Sequence, residues 1–334
     1  MIPEKENPQI DEGLAAESNL GADDASGLPN RLNRYSKAHH RALEMSNYAL
    51  GRGEVKLAEA LTGCGHFLLF HHYYTVEKVR LHAARFCNKH LLCPLCAIRR
   101  GAKQVQAYLD RLQVIRQEHP NVKLSLVTLT TKNADDLGER HRHIAQSFRR
   151  MQHARRNYLN GNGPYVEMAK FLGAVGSYES KIGKNSGQWH PHIHMVVLHD
   201  EPINQNQLST DWLKYSADSF IVDVTPFHED QDPVQGFLEV FKYSLKFSSM
   251  PLDENWAAYK ALSGKRLVFS FGLFWGVEVP EELTEIDLED LPFIELLYRF
   301  QKGSGYSFVV PKQSKIKPYA EGEVVKLSTR KGSK

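Results

Sequence analysis

The sequence predicts an α+β protein built on a central antiparallel sheet flanked by helices. Three observations carry this expectation. The middle of the chain runs strand–helix–strand–strand–helix–strand, an order that suits an antiparallel sheet backed by helices. Lys181 to Gly187 is rich in turn residues and lies between two strand-like runs, which predicts a hairpin. The segment Trp189–Val197 alternates imidazoles with other residues, and alternation places His192 and His194 on one face of a strand.

Taken in order, residues 1–30 are rich in Glu, Asp, Ala, Gly and Asn, with few large apolar side chains, and read as a disordered acidic tail. Residues 31–118 read as a helical segment carrying a cysteine knuckle. Leu43, Tyr48, Leu50, Leu57 and Leu61 give it helical spacing, and Gly51 and Gly53 divide it into two helices. Ile98, Val105, Leu109, Leu112 and Ile115 mark a further helix over residues 97–117, stopped at His119-Pro120-Asn121. The core is expected at 119–250. Its elements are a strand from Lys123 to Thr131, a basic helix from Leu137 to Tyr158, strands at Phe171–Glu179 and His192–Leu198, a helix within 203–219, a short strand at Phe220–Pro226 and a helix at Pro233–Phe247. Residues 251–334 form a C-terminal extension, in which Glu278–Glu295 is an acidic stretch read as a partner surface or a helical flank.

The composition fits a globular chain, with 42% hydrophobic and 24% charged residues. No apolar run approaches the roughly 18 residues of a membrane helix. The start, Met1-Ile2-Pro3-Glu4, lacks the basic and apolar regions of a signal peptide, so a cytoplasmic protein is expected. The net charge of +3 hides segregation: Arg80 to Arg156 holds 16 Lys/Arg against 5 Asp/Glu, whereas Leu267 to Tyr298 holds neither Lys nor Arg. The basic block suits a polyanion.

Two imidazoles on one strand face can hold a divalent cation. Along 233–247, Val234, Phe237, Leu238, Phe241 and Leu245 form an apolar stripe, which leaves Glu239, Tyr243 and Lys246 together on the opposite side. Tyr243 is therefore expected off the docked face. There its oxygen is a candidate nucleophile, with Glu239 to activate a water and Lys246 to steady a phenolate or phosphate. Cys64, Cys87, Cys93 and Cys96 follow the pattern C-x22-C-x5-C-x2-C, in which the tight Cys93–Cys96 knuckle opens a helix. Four thiolates satisfy a structural Zn²⁺; His66, His82 and His90 are alternative ligands, most plausibly in place of Cys64. Arg99 and Arg100 follow in the first turn, placed either to contact phosphates or to pair with surface carboxylates.

In these motifs the chain resembles the rolling-circle replication initiators of small plasmids, single-tyrosine members of the HUH endonuclease superfamily. The residues concerned are Leu126–Thr131, His190-Pro191-His192-Ile193-His194 and Glu239–Lys246, in the family's order, and the likeness extends over about residues 60–250. The resemblance implies an HUH/RRM-like sheet and metal-dependent nicking of one origin strand. Tyr243 would become a 5′-phosphotyrosine, with strand transfer and a termination step assisted by Glu239. His192 and His194 would hold Mg²⁺ or Mn²⁺. Because a hard cation also wants an oxygen ligand, Glu179 on the paired strand is the candidate third ligand. Lys242, Arg99 and Arg100 would contact DNA. Expected partners are origin DNA, single-stranded or as a hairpin, and host helicase and polymerase. Either a monomer or a dimer is compatible. Competing readings are an HUH transposase or relaxase and a non-catalytic zinc-dependent DNA-binding regulator. A relaxase carries its tyrosine ahead of the histidines, whereas here it follows them.

Overall fold

The computed structural model describes residues 25–183, 186–228, 232–279 and 291–309. After one 3₁₀ turn at Ala25–Gly27 come α1 (Leu28–Leu50) and α2 (Val55–Thr62), separated at Gly51–Glu54. Pro29 opens α1, where its missing N–H costs nothing. The tail expected to reach residue 30 is therefore cut short, since residues 28–30 are already helical; residues 1–24 lie outside the described residues. Next come β1 (Phe67–Tyr73), β2 (Lys78–Ala84) and α3 (Pro94–Glu118). The core follows as β3 (Lys123–Thr130), α4 (Leu137–Leu159), β4 (Gly173–Ile182), β5 (Trp189–His199), α5 (Gln205–Ser216) and β6 (Val222–Pro226). The chain continues with α6 (Val234–Phe241), α7 (Tyr243–Ser249), α8 (Leu252–Leu262), β7 (Val268–Gly272), β8 (Ile294–Gln301) and β9 (Gly305–Phe308).

The central sheet has the order β6-β3-β5-β4-β7, with every pairing antiparallel. The first four strands in this order are the βαββαβ arrangement of an RRM-like sheet. β5 lies in the middle, so whatever it carries is held from both sides by backbone hydrogen bonds. Alternation gives each face its own core. Val127, Leu129, Ile193, Met195 and Val197 pack against Ile144 and Phe148 of α4 and Trp212 of α5. Leu124, Val175, Val196 and Leu198 pack against Val105 and Leu112 of α3 and Phe237, Val240 and Phe241 of α6. Gly176 permits close strand approach: a Cβ there would lie 2.6 Å from Met195 Cγ and 2.8 Å from the His194 carbonyl oxygen.

The structure departs from the sequence reading in three further places. First, 31–118 is not only helical. β1 and β2 form a hairpin in a second sheet of order β2-β1-β8-β9, completed by strands from the C-terminal extension. The runs FLLFHHY and KVRLHAA lack clean alternation, which hid them. Second, the core extends beyond residue 250, because β7 is an edge strand of the central sheet. The acidic stretch ends in strand rather than helix, with Ile294 and Glu295 already in β8; residues 280–290 lie outside the described residues. Third, the helix expected over 233–247 is two helices that meet at Lys242, whose ψ of −2° tightens the turn.

Candidate functional site

β5 points His192 and His194 toward the face covered by α3 and α6, and β4 places Glu179 directly opposite His192. Glu179 Oε1 lies 3.5 Å from His192 Nε2, and Oε2 lies 3.7 Å from His194 Nε2. One donor atom from each of the three residues falls within 4.8 Å of the others. The neighbouring strand fixes one of the rings: Thr128 Oγ1 is 3.0 Å from His194 Nδ1, leaving Nε2 free to face the carboxylate. This is the work of the Leu126–Thr131 motif, whose role the sequence did not reveal. His190 instead turns to Asn133, 2.6 Å from its Oδ1.

From above, Lys246 of α7 forms an ion pair with Glu179 and sits 3.5 Å from Glu239 Oε1. Glu239 also pairs with Lys242 and lies 3.9 Å from His194 Nε2. Burial alone would push the Glu179 carboxyl up; Lys246 and the two imidazoles overcome it and hold the group well below the usual carboxylate range. The same balance keeps Glu239 ionised, burial being outweighed by Lys246 and Lys242. Burial disfavours the Lys246 ammonium, yet Glu179 and Glu239 raise its pKa above that of a free lysine. Burial pushes His194 down to about 4, so near neutrality its ring is unprotonated and able to donate a lone pair. Both buried oxygens of Glu179 lack a hydrogen bond of good geometry. A carboxylate with unfilled acceptor capacity beside the ring nitrogens of two imidazoles, His194 among them unprotonated, fits a divalent cation.

Tyr243 is not where the helical stripe puts it. Beyond the tightened turn at Lys242 its side chain joins the docked side and is 1% exposed, packed with Leu91, Phe247, Ala258 and Leu262. Its phenol opens on a cavity of about 420 Å³ lined by residues that include His90, Arg100 and Tyr259, and by none of Glu179, His192 or His194. Burial raises the pKa of the phenol, and the nearby Arg100 guanidinium opposes this only in part. The sequence reading treated Tyr243, Glu239 and Lys246 as one cluster. The structure gathers Glu239 and Lys246 at the imidazoles and holds Tyr243 in the adjoining cavity. Of the other basic candidates, Lys242 reaches the site through Glu239, and Arg99 lies over the Phe86 ring at 4.1 Å.

The four cysteines form a second cluster. Cys64 Sγ is 3.5 Å from both Cys93 Sγ and Cys96 Sγ, and Cys87 Sγ is 3.6 Å from Cys96 Sγ. All four are free thiols. The edges of a tetrahedral tetrathiolate site are about 3.8 Å, given metal–sulfur bonds of about 2.3 Å, so the donor set fits a tetrahedral ion. Hydrogen bonds from the neighbouring thiols, Cys64 first, push the Cys96 thiol down and favour its thiolate. His66, His82 and His90 are not part of this group. The cluster ties the loop after α2 to the start of α3, and so fastens the N-terminal layer to the helix that covers the candidate site.

Fold and site together describe an α+β protein with a candidate cation site on the central strand of a βαββαβ sheet, and a thiol cluster bracing its cover. Residues 78–297, well over half of the chain, match the profile of the family described as "Replication protein", and the chain belongs to that family. Among curated proteins it is 26% identical to "Protein rep" of Lactiplantibacillus plantarum over 75% of this chain and 84% of that protein. It is 28% identical to "Protein rep" of Lentilactobacillus hilgardii over 74% and 83%, and 25% identical to "Protein rep" of Streptococcus pneumoniae serotype 2 over 71% and 76%. No solved structure matches. Among the described residues no helix is long and apolar enough to cross a membrane.

Proposed function

We propose that this replication protein initiates rolling-circle replication by nicking one strand of its origin. The observation that carries the reading is the gathering of Glu179, His192 and His194 under Glu239 and Lys246, in a member of the replication-protein family. Mg²⁺ or Mn²⁺ held by the three ligands supplies polarisation of a phosphodiester. Lys246 adds a positive charge beside the same phosphate, while Thr128 keeps the His194 ring in the ligating orientation.

Tyr243 is the nucleophile. Its phenol gives up a proton and its oxygen attacks phosphorus; the bond to the 3′ oxygen breaks, and that oxygen leaves as a 3′-hydroxyl that can prime synthesis. The strand's 5′ phosphate remains on the tyrosine. Tyr243 and Lys246 share α7, so the helix that pairs with Glu179 also carries the phenol, which meets the scissile phosphate from its cavity. Glu239, ionised and partly open to solvent, accepts a proton from water in the terminating cleavage. The cysteine cluster holds a structural Zn²⁺. Origin DNA is the partner at the site, with host helicase and polymerase acting downstream.

A single-stranded origin oligonucleotide tests the reading. Incubation with Mn²⁺ gives a covalent protein–DNA adduct whose tryptic peptide contains Tyr243, and Tyr243→Phe abolishes it. An adduct mapped to another residue, or binding without any adduct, would sink the assignment; the second result would favour a DNA-binding regulator.

A further inference from the structure

The cavity beside Tyr243 has a composition of its own. Its walls come from the loop before α3, from α3, and from the segment joining α8 to β7. Lys89, Arg100, Lys265 and Arg266 line it together with His90, and no Asp or Glu does. Among the described residues none of these four cations has a carboxylate partner within 4.0 Å; Arg266 Nε donates to the Val268 carbonyl oxygen. All four are exposed and hydrated, and with no carboxylate among them they give the mouth of the cavity a positive potential that attracts an anion. The floor carries a second feature: Gln104 Oε1 is buried without a hydrogen-bond partner, and it too lines the cavity. An acceptor of this kind awaits an N–H donor. The volume, about 420 Å³, lies within the range of small-molecule sites, and Tyr259 adds an aromatic wall.

We infer that this cavity binds one nucleotide unit, its phosphate among Lys89, Arg100, Lys265 and Arg266 and an N–H of its base on Gln104 Oε1. A phosphate alone would leave the buried Gln104 acceptor empty, and a neutral ligand would make no use of the positive rim. An unpaired nucleotide satisfies both and offers a ring to the aromatic wall. The inference rests on the nicking reading for the source of the nucleotide, which is the single strand that brings its scissile phosphate to Tyr243. A free nucleotide presents the same chemistry, so the test has an arm for each source.

The experiment uses the full chain with no added Mg²⁺ or Mn²⁺, so that binding is read without cleavage. A fluorescein-labelled single-stranded oligonucleotide and free dATP are titrated against wild type, Lys89→Gln, Lys265→Gln and Lys103→Gln. Lys103 lies on α3 but outside the cavity, and serves as the control. Each cavity variant is expected to weaken the oligonucleotide several-fold and to lower the slope of log affinity against log salt by about 0.7, the single-strand value for one lost phosphate contact. Lys103→Gln is expected to leave both unchanged. The same pattern with dATP alone also supports the cavity and assigns it to a free nucleotide. The inference is overturned if the cavity variants bind both probes like wild type, or if Lys103→Gln loses as much as they do, which would mean a diffuse basic surface. If the wild type binds through the cavity but gives no adduct when Mn²⁺ is then added, that result would instead count against the nicking reading alone.

Discussion

Lys246→Met isolates the electrostatics of the candidate site. The Glu179 side chain is 0% exposed, and the nearest full positive charge is Lys246, itself 25% exposed. Two unit charges about 4 Å apart attract by about 4 kcal/mol at an effective dielectric near 20. Removing one partner of a buried pair typically costs about 3–5 kcal/mol, because the remaining charge stays desolvated. Partial exposure of Lys246 places the expected loss at the low end, about 3 kcal/mol, or roughly 6 °C in melting temperature for a chain of this size. The double variant Glu179→Gln/Lys246→Met removes the stranded charge and should recover most of that loss. Mn²⁺ should restore Lys246→Met more than it stabilises wild type, since a cation on Glu179 replaces the missing ammonium. Because the Glu179 carboxyl is held below its ordinary value, the pair stabilises fully above the unfolded-state pKa of about 4.5, and its contribution disappears as pH falls through the depressed folded value. The assay is urea denaturation of the four proteins of the cycle with and without Mn²⁺. The reasoning fails if Lys246→Met costs less than about 0.5 kcal/mol, or if the double variant loses the full sum of the two single losses.

Other consequences follow from the same packing. Purified protein should carry one zinc per chain, and Cys96→Ser should release it and make the α1–α2 layer sensitive to protease. Structural zinc binding of about 10–16 kcal/mol exceeds what that layer can replace, so a metal-free chain with intact protease resistance would count against a zinc site. His141 is buried against Tyr178, and burial, with Lys265 adding to it, pushes its pKa down to about 4. The unfolded chain takes up that proton first, so stability should fall by up to about 3 kcal/mol as pH drops from 6.5 to 4; His141→Leu should show a shallower decline in urea midpoint. Gly176→Ala places a methyl against the β5 backbone at His194 and should cost about 1–3 kcal/mol in the same assay, with weaker Mn²⁺ binding measured by calorimetry. Tyr243→Phe, by contrast, should cost only about 1 kcal/mol while eliminating the adduct.

The sequence by itself determined the α+β class, the hairpin that presents His192 and His194, and the facing position of Glu179. Strand alternation is a local property with a fixed period of two, so residue spacing suffices to assign faces. It also placed Cys93 and Cys96 together, because a two-residue knuckle closes locally, whereas the choice of Cys64 over His66, His82 or His90 came from the tertiary structure. The helix boundary at Gly51 was legible for the same reason: turn chemistry acts over a few residues. Tertiary structure alone decided that β1 pairs with β8 across more than two hundred residues, since no local signal encodes a partner so distant. It decided which lysine neutralises Glu179. It also decided the setting of Tyr243: the phenol lies on the side of buried Val240 and Phe247, three and four residues away, and the apolar and cationic surroundings contributed by α3, α8 and the loop before α3 hold it there. Side-chain direction after an irregular turn depends on what packs around it, and that packing is assembled from segments far apart in the chain.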